Sequence, residues 1–211
     1  MDEKLVKKLA KIAADKIPAD DPSHDANHVQ AVLRNSIRIA VAMDADLDVV
    51  VPAALFHDVI HYSKNDKRYA RAQADSAKIA QEVLNKILEY PKEKIPTVMS
   101  AITTCSFSQN LPVESLEAIV LQDADLLESA GAISIMRTFA SSGIMNRPFY
   151  HPTDPFAQNR EPDADMYGVD LFYTRLLKVE ERIQTSVAKE MVKSRIEFLK
   201  IFLEQLKSEL K

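Results

Sequence analysis

The chain has 211 residues, of which 46% are hydrophobic and 27% charged, so it can form a packed core and lacks the composition of a disordered chain. Its 27 basic and 31 acidic residues give a net charge of −4, which argues against stable nucleic-acid binding because such proteins present strongly basic surfaces. With three glycines in the whole chain, neither a dinucleotide-binding glycine turn nor a P-loop can be written.

Helical periodicity begins at the amino terminus. Leu5, Leu9 and Ile12 mark a first short helix that ends around Pro18, and a second helix is predicted over 23–43. The third contains the run VVVPAALFHDVIH, which is apolar nearly all round, as expected of a helix buried on every side. We therefore expect a bundle organised around this central helix.

The remaining chain is also mostly helical. Helices are predicted over 67–90, 92–107, 112–130, 131–142, 167–181 and 185–210. The exception is 143–165, which has no periodicity and contains four of the ten prolines; we interpret it as a rim or lid loop. The expected fold is all-α, with a single domain over 1–211.

Two features concern the environment of the protein. The amino-terminal segment lacks the apolar run of a signal peptide, and no stretch has the roughly 20 apolar residues of a membrane span. We therefore predict a cytoplasmic protein without membrane association. The single cysteine, Cys105, excludes an internal disulfide and is interpreted as a small core residue.

Four of the five histidines lie in two copies of one pentapeptide pattern, His24-Asp25-Ala26-Asn27-His28 and His57-Asp58-Val59-Ile60-His61. On a helix, residues i and i+4 share a face, so each segment can present two imidazoles to one point. Imidazole and carboxylate are the usual ligands of Mn, Fe, Ni or Zn ions. The pattern is a candidate metal site, with a purely structural His–Asp hydrogen bond as the alternative.

A second acidic segment, QDADLL at 122–127, follows the apolar run Ile119-Val120-Leu121. Carboxylates on an otherwise apolar helix need a reason to be buried. Completion of a metal site is one such reason, and a capping or exposed role near the helix end is the other.

These residues resemble the H…HD…D signature of the HD-domain metal-dependent phosphohydrolases. The signature residues are His28, the doublet His57-Asp58, and Asp125 in an Ala-Asp-x-Leu setting. The likeness covers most of the chain and extends to Ser76-Ala77 and to the stretch DADLLESAGAISIMRTF. The chain is similar in particular to small stand-alone bacterial HD hydrolases, some of which cleave nucleoside triphosphates to monophosphate and pyrophosphate.

The resemblance implies a helical bundle and a divalent ion, Mn²⁺, Mg²⁺, Ni²⁺ or another transition metal. The implied metal ligands are His28, His57, Asp58 and Asp125. The family pattern selects Asp125 over Asp123 as the ligand.

The candidate catalytic residues are Asp58, His61 and Asp25. Asp25 is expected to orient a ligand imidazole or to bind a bridging water. His61 stands where relatives commonly have an acidic residue, and can act as a general acid or base or ligate a second metal with His24. Leu126 replaces an arginine that is usual in the family, so one cationic contact is lost.

The expected function is a phosphohydrolase that attacks nucleoside or deoxynucleoside triphosphates, or related nucleotides, with a metal-activated water. The candidate substrate-binding residues are His24, Lys64, Arg137 and Arg147. The alternatives are a phosphodiesterase acting on cyclic or linear nucleotides and a catalytically silent scaffold that binds a nucleotide or a partner. The expected partner is a small phosphorylated substrate, and assembly as a homodimer is left open.

Overall fold

The computed structural model describes residues 1–17, 25–62, 66–106 and 112–211, and they contain α-helices and short 3₁₀ turns but no strand. The chain divides into two compact units, 1–125 and 126–211, which are described separately. The predicted all-α fold is confirmed. The single domain over 1–211 stays a prediction.

The first unit contains six helices in its described part, the last of which continues two residues into the second unit. They are α1 (Glu3–Ala14), α2 (Ala26–Met43), α3 (Leu47–Phe56), α4 (Ala72–Lys86), α5 (Ile95–Thr104) and α6 (Leu116–Leu127). Every residue of α3 from Val49 to Phe56 is buried, and α3 packs against α1, α2, α4 and α5. This confirms the prediction of a buried central helix.

Helix α3 contains a proline in its interior, Pro52. Proline has no N–H group, so the carbonyl of Asp48, four residues earlier, receives no hydrogen bond within the helix. The hydroxyl of Tyr90 donates to that carbonyl instead, at 2.8 Å. Burial holds the pKa of the Tyr90 hydroxyl above its usual range, so it remains a donor at neutral pH.

The second unit contains α7 (Ala132–Ile144), α8 (Asp170–Thr174) and α9 (Ser186–Glu209). Helix α7 packs against α9, and the ring of Phe139 lies 6.3 Å from that of Phe202 and 5.2 Å from that of Phe149. The predicted helix over 167–181 is two elements, α8 and the 3₁₀ turn Leu176–Glu181. They are separated at Arg175, whose backbone dihedrals are not helical.

The segment between α7 and α8 has no helix, but hydrogen bonds to a buried carboxylate hold it in place. Asp170, fully buried, accepts hydrogen bonds from the guanidinium of Arg160 at 2.5 and 2.8 Å and from the backbone N–H of Asp163 at 2.6 Å. The Arg160 guanidinium also lies 5.1 Å from the centre of the Tyr167 ring. A Cβ on Gly168 would approach Ser142 Oγ to 2.9 Å and the carbonyl oxygen of Phe149 to 3.1 Å, so any side chain here would force a neighbour to shift. A rim or lid role for 143–165 stays a prediction.

Candidate metal centre

Three predicted ligands come together in the first unit. One ligand atom from each of His28, His57 and Asp125 lies within 4.8 Å of the other two. The two imidazole rings have centroids 5.5 Å apart and meet edge to face, and His28 Nε2 is 3.4 Å from Asp125 Oδ1. Both histidines are buried, whereas the Asp125 side chain is 35% exposed. The group therefore combines two imidazoles with one carboxylate that solvent can reach.

The ring of His57 is fixed by a hydrogen bond to its own helix. Its Nδ1 lies 2.8 Å from the backbone carbonyl oxygen of Ala54, which can only accept, so Nδ1 carries the hydrogen. In the neutral imidazole, Nε2 then holds the lone pair. Nε2 is buried and has no hydrogen-bond partner among the residues that the structure describes. A buried acceptor in this state fits a metal ligand, because metal coordination would satisfy it.

His28 is placed by the start of α2. Asp25 is the residue that caps this helix, and its Oδ1 accepts the backbone N–H of His28 at 3.0 Å. Its second oxygen accepts from the side-chain amide of Asn27 at 2.8 Å. Asp25 thus contacts the backbone of a candidate ligand; its predicted role as a catalytic or water-binding group stays a prediction.

Asp58 directly follows His57 in the chain but is not part of the three-residue group. Its side chain is buried. Burial raises the pKa of the Cys105 thiol well above its usual range, and the negative charges of Asp125 and Asp58 raise it further. Both carboxylates therefore act on the same buried thiol.

Helix α6, which carries Asp125, is tied to two neighbouring elements of the first unit. The side-chain amide of Asn35 on α2 donates to the carbonyl of Ala124 at 3.4 Å. The side-chain amide of Gln122 donates to the carbonyl of Thr104, the last residue of α5, at 2.8 Å. Asp123 is fully buried and lies outside the three-residue group.

The expectation that the second pentapeptide is helical is wrong. Helix α3 ends at Phe56, His57 is its C-cap, and residues 57–60 form a turn followed by a bend. The physical reason is that Ile60 N–H bonds to the side chain of Ser76 at 3.1 Å, whereas a continued helix would direct it to the carbonyl of Phe56. The half-buried His61 therefore does not share a helical face with His57.

The other predicted site residues are distributed as follows. His24 and Lys64 lie outside the described residues. Arg137 belongs to the second unit, where it reaches the carbonyl of Glu128 at 3.5 Å. Arg147, also in that unit, is buried and bonds to the Ser142 hydroxyl at 2.9 and 3.1 Å and to the carbonyl of Ala164. Burial lowers the pKa of the Arg147 guanidinium.

Sequence reasoning gave no role to Ser76, which contacts the turn that follows α3. A signal for it was present, because Ser76 lies on the same helical face as Ala72, Ala80 and Leu84, which are all buried. A hydroxyl on such a face must find a partner. The identity of that partner, the backbone of Ile60, is not local in sequence.

No helix in the described part of the chain is long and apolar enough to cross a bilayer.

Comparison with known families gives a match that covers half of the chain. A family model described as "HD domain" matches residues 25–130, which include all four predicted metal ligands. Among curated proteins, the uncharacterized protein YpgQ of Bacillus subtilis (strain 168) is 28% identical over 198 residues, which cover 90% of this chain and 86% of YpgQ. The match confirms the resemblance inferred from the order of the motifs.

Solved structures are also similar to this chain, over nearly its whole length. A Lactobacillus plantarum protein is 28% identical with a TM-score of 0.75, and the alignment covers 99% of this chain and 98% of that one. B. subtilis YpgQ in complex with ADP is 25% identical with a TM-score of 0.73, covering 98% and 95%. A Bacillus thuringiensis protein described as an HD-superfamily hydrolase is 26% identical with a TM-score of 0.73, covering 98% and 97%.

Proposed function

This chain belongs to the HD domain family, and on that premise we propose that it is a metal-dependent phosphohydrolase acting on nucleotides. The observation that carries the proposal is the approach of ligand atoms from His28, His57 and Asp125 to within 4.8 Å of one another. Two further findings support it: one similar structure is described as an HD-superfamily hydrolase, and YpgQ has been crystallised with ADP.

The residues that would hold the ion are His28, His57 and Asp125, with Asp58 as the fourth ligand. Two imidazoles favour a transition metal over Mg²⁺, which prefers oxygen ligands; we therefore propose a transition-metal ion, with Mn²⁺ and Ni²⁺ among the candidates. The chemistry supplied by such an ion, when bound, is polarisation of a phosphoryl oxygen and activation of water for attack on phosphorus.

The protein's own side chains would orient the metal ligands and transfer protons. His57 keeps its Nε2 lone pair available because Nδ1–H is committed to the carbonyl of Ala54. Asp25 fixes the first turn of α2 and thereby the backbone of His28. His61 is the proposed group that accepts or returns a proton at a ring nitrogen, because it is the histidine that follows the doublet by three residues.

The nucleotide class is proposed from the ADP bound to YpgQ. The cations proposed to meet its phosphates are Lys64, Arg137 and Arg147, together with His24. Arg147 already donates to Ser142 and Ala164, so in this role it would need donors beyond those. A cytoplasmic location and a homodimer stay predictions.

The test is a panel of nucleoside mono-, di- and triphosphates, cyclic nucleotides and linear dinucleotides, each assayed for phosphate and pyrophosphate release with Mn²⁺, Mg²⁺ or Ni²⁺. Triphosphate cleavage that disappears in Asp58→Ala and Asp125→Asn supports the proposal. Asp44→Asn is the matched control, since Asp44 is exposed at the end of α2 in a left-handed conformation that asparagine also tolerates.

Two results would favour the alternatives. Cleavage of a phosphodiester with triphosphates left intact would indicate a phosphodiesterase. Nucleotide binding without turnover under any metal would indicate a silent scaffold and would contradict the proposed activity.

A further inference from the structure

The turn that follows α3 is held by one side chain of α4. Ser76 Oγ accepts the backbone N–H of Ile60 at 3.1 Å and donates to the carbonyl of the same residue at 3.4 Å. We propose that Ser76 is a positioning residue for the metal site, acting through the backbone that carries Asp58 and His61. The inference rests on the proposed function of that site.

The reason such a residue is needed lies in how α3 ends. After Phe56 the chain leaves the helix, so the backbone groups that follow lose their regular partners. In a buried region each of these groups must find another partner, because an unsatisfied one is costly. The fully buried Ser76 supplies both partners for Ile60, which lies two residues after Asp58 and one before His61.

A second hydrogen bond joins α4 to Tyr62, the residue after His61. The hydroxyl of Tyr62 donates to Asp75 Oδ2 at 3.3 Å, and the guanidinium of Arg68 lies 4.5 Å from the centre of the Tyr62 ring. Asp75 and Ser76 are consecutive in α4, and Ile60 and Tyr62 flank His61. Helix α4 therefore holds the chain on both sides of His61.

The two members of the doublet depend on Ser76 to different degrees. His57 is anchored by its own ring, through the bond from Nδ1 to the carbonyl of Ala54. Asp58 lies in the turn, where no α-helical hydrogen-bond ladder fixes the backbone. Loss of the Ser76 hydroxyl should therefore displace Asp58 and His61 more than His57.

A matched pair of substitutions tests this role. Ser76→Ala removes the hydroxyl that binds Ile60, and Ser36→Ala removes an equally buried hydroxyl that has no hydrogen-bond partner among the described residues. Mn²⁺ affinity is measured on each full-length protein by isothermal titration calorimetry. We expect Ser76→Ala to bind Mn²⁺ roughly tenfold or more weakly than the wild type, as for other groups that orient ligands, and Ser36→Ala to match the wild type.

Amide hydrogen exchange supplies a second measurement that does not depend on the variant folding. In the metal-free wild type, the Ile60 N–H should exchange as slowly as the amides of α3, because a fully buried hydroxyl accepts it. An Ile60 amide that exchanges at the rate of an unstructured peptide would overturn the inference.

His57→Ala separates failure of the inference from failure of the proposed function. If His57→Ala loses Mn²⁺ binding while Ser76→Ala binds like Ser36→Ala, the positioning role is wrong and the metal site stands. The role is also wrong if Ser36→Ala weakens binding as much as Ser76→Ala. If His57→Ala binds Mn²⁺ like the wild type, the metal site itself is wrong and both proposals fall.

Discussion

The carboxylate of Asp25 accepts the backbone N–H of His28 at 3.0 Å, so the residue that begins α2 also fixes the residue that supplies a proposed metal ligand. This bond satisfies one of the donors left free at a helix start. It also gives Asp25 a structural function that sequence reasoning had not separated from a catalytic one.

Substitutions at Asp25 can separate these two functions. Asp25→Ala removes the cap and should lower the free energy of unfolding by about 1 kcal/mol. Asp25→Asn retains an oxygen that caps well but removes the negative charge, so stability should stay near that of the wild type. If Asp25 only positions His28, the Asn variant keeps its Mn²⁺ affinity and its kcat; a large loss of kcat with unchanged unfolding would show a direct role in the chemistry.

The thiol of Cys105 should be unreactive in the folded protein. Burial and the charges of Asp125 and Asp58 raise its pKa, so the thiolate, which is the reactive form, is scarce at pH 8. Reaction with a disulfide reagent at pH 8 should be at least ~100-fold slower in the native protein than in urea, as expected for a fully buried ionisable group. Equal rates in the two states would show that the thiol is accessible.

The same pKa shift gives a direction for the pH dependence of stability. Above the ordinary cysteine pKa, near ~8.5, the unfolded chain loses the thiol proton while the folded chain keeps it. The contribution of Cys105 to stability is therefore fully present below that pH and falls as the pH rises. Unfolding titrations of the wild type and Cys105→Ala at pH 7 and 10 should show the smaller loss in the alanine variant.

Arg195 of α9 should contribute strongly to the second unit. One nitrogen of its guanidinium donates to the carbonyl of Leu127 at 2.5 Å and to the buried carboxylate of Glu128 at 3.1 Å. Arg195→Ala removes a cation that faces this carboxylate and should cost about 3 kcal/mol in urea unfolding. Lys193→Ala is the control, because its ion pair with Glu190 is exposed and should contribute less than about 1 kcal/mol.

The ion pair of Arg160 and Asp170 should keep the segment between α7 and α8 protected from proteases. Asp170→Asn weakens three hydrogen bonds to the buried Asp170 side chain and leaves the Arg160 charge without its carboxylate. Trypsin should then cleave after Arg160 at least ~10-fold faster than in the wild type, because local opening costs less free energy. Asp165→Asn, at an exposed position, should leave the rate unchanged; equal rates in all three proteins would show that the pair does not hold the segment.

Sequence periodicity located the helices, because it is a local property. The apolar run around Val49–Phe56 predicted a helix buried on all sides, and α3 is buried along that length. The predicted helix ends agreed less well with the structure. The helix predicted over 67–90 is α-helical at Ala72–Lys86. Helix ends depend on which side chains reach the last backbone groups, and those side chains can come from elsewhere in the chain.

The sequence alone determined which kinds of side chain the proposed metal site contains. They are histidines from two segments and a later carboxylate, in an order that resembles a known family. Only the tertiary structure decided that α3 stops at Phe56, that the ring of His57 leaves Nε2 available, and that Ser76 holds the following turn. The physical reason is distance along the chain. Residues a few positions apart determine a helix, whereas a buried polar group is satisfied by whichever partner folding brings within hydrogen-bond reach.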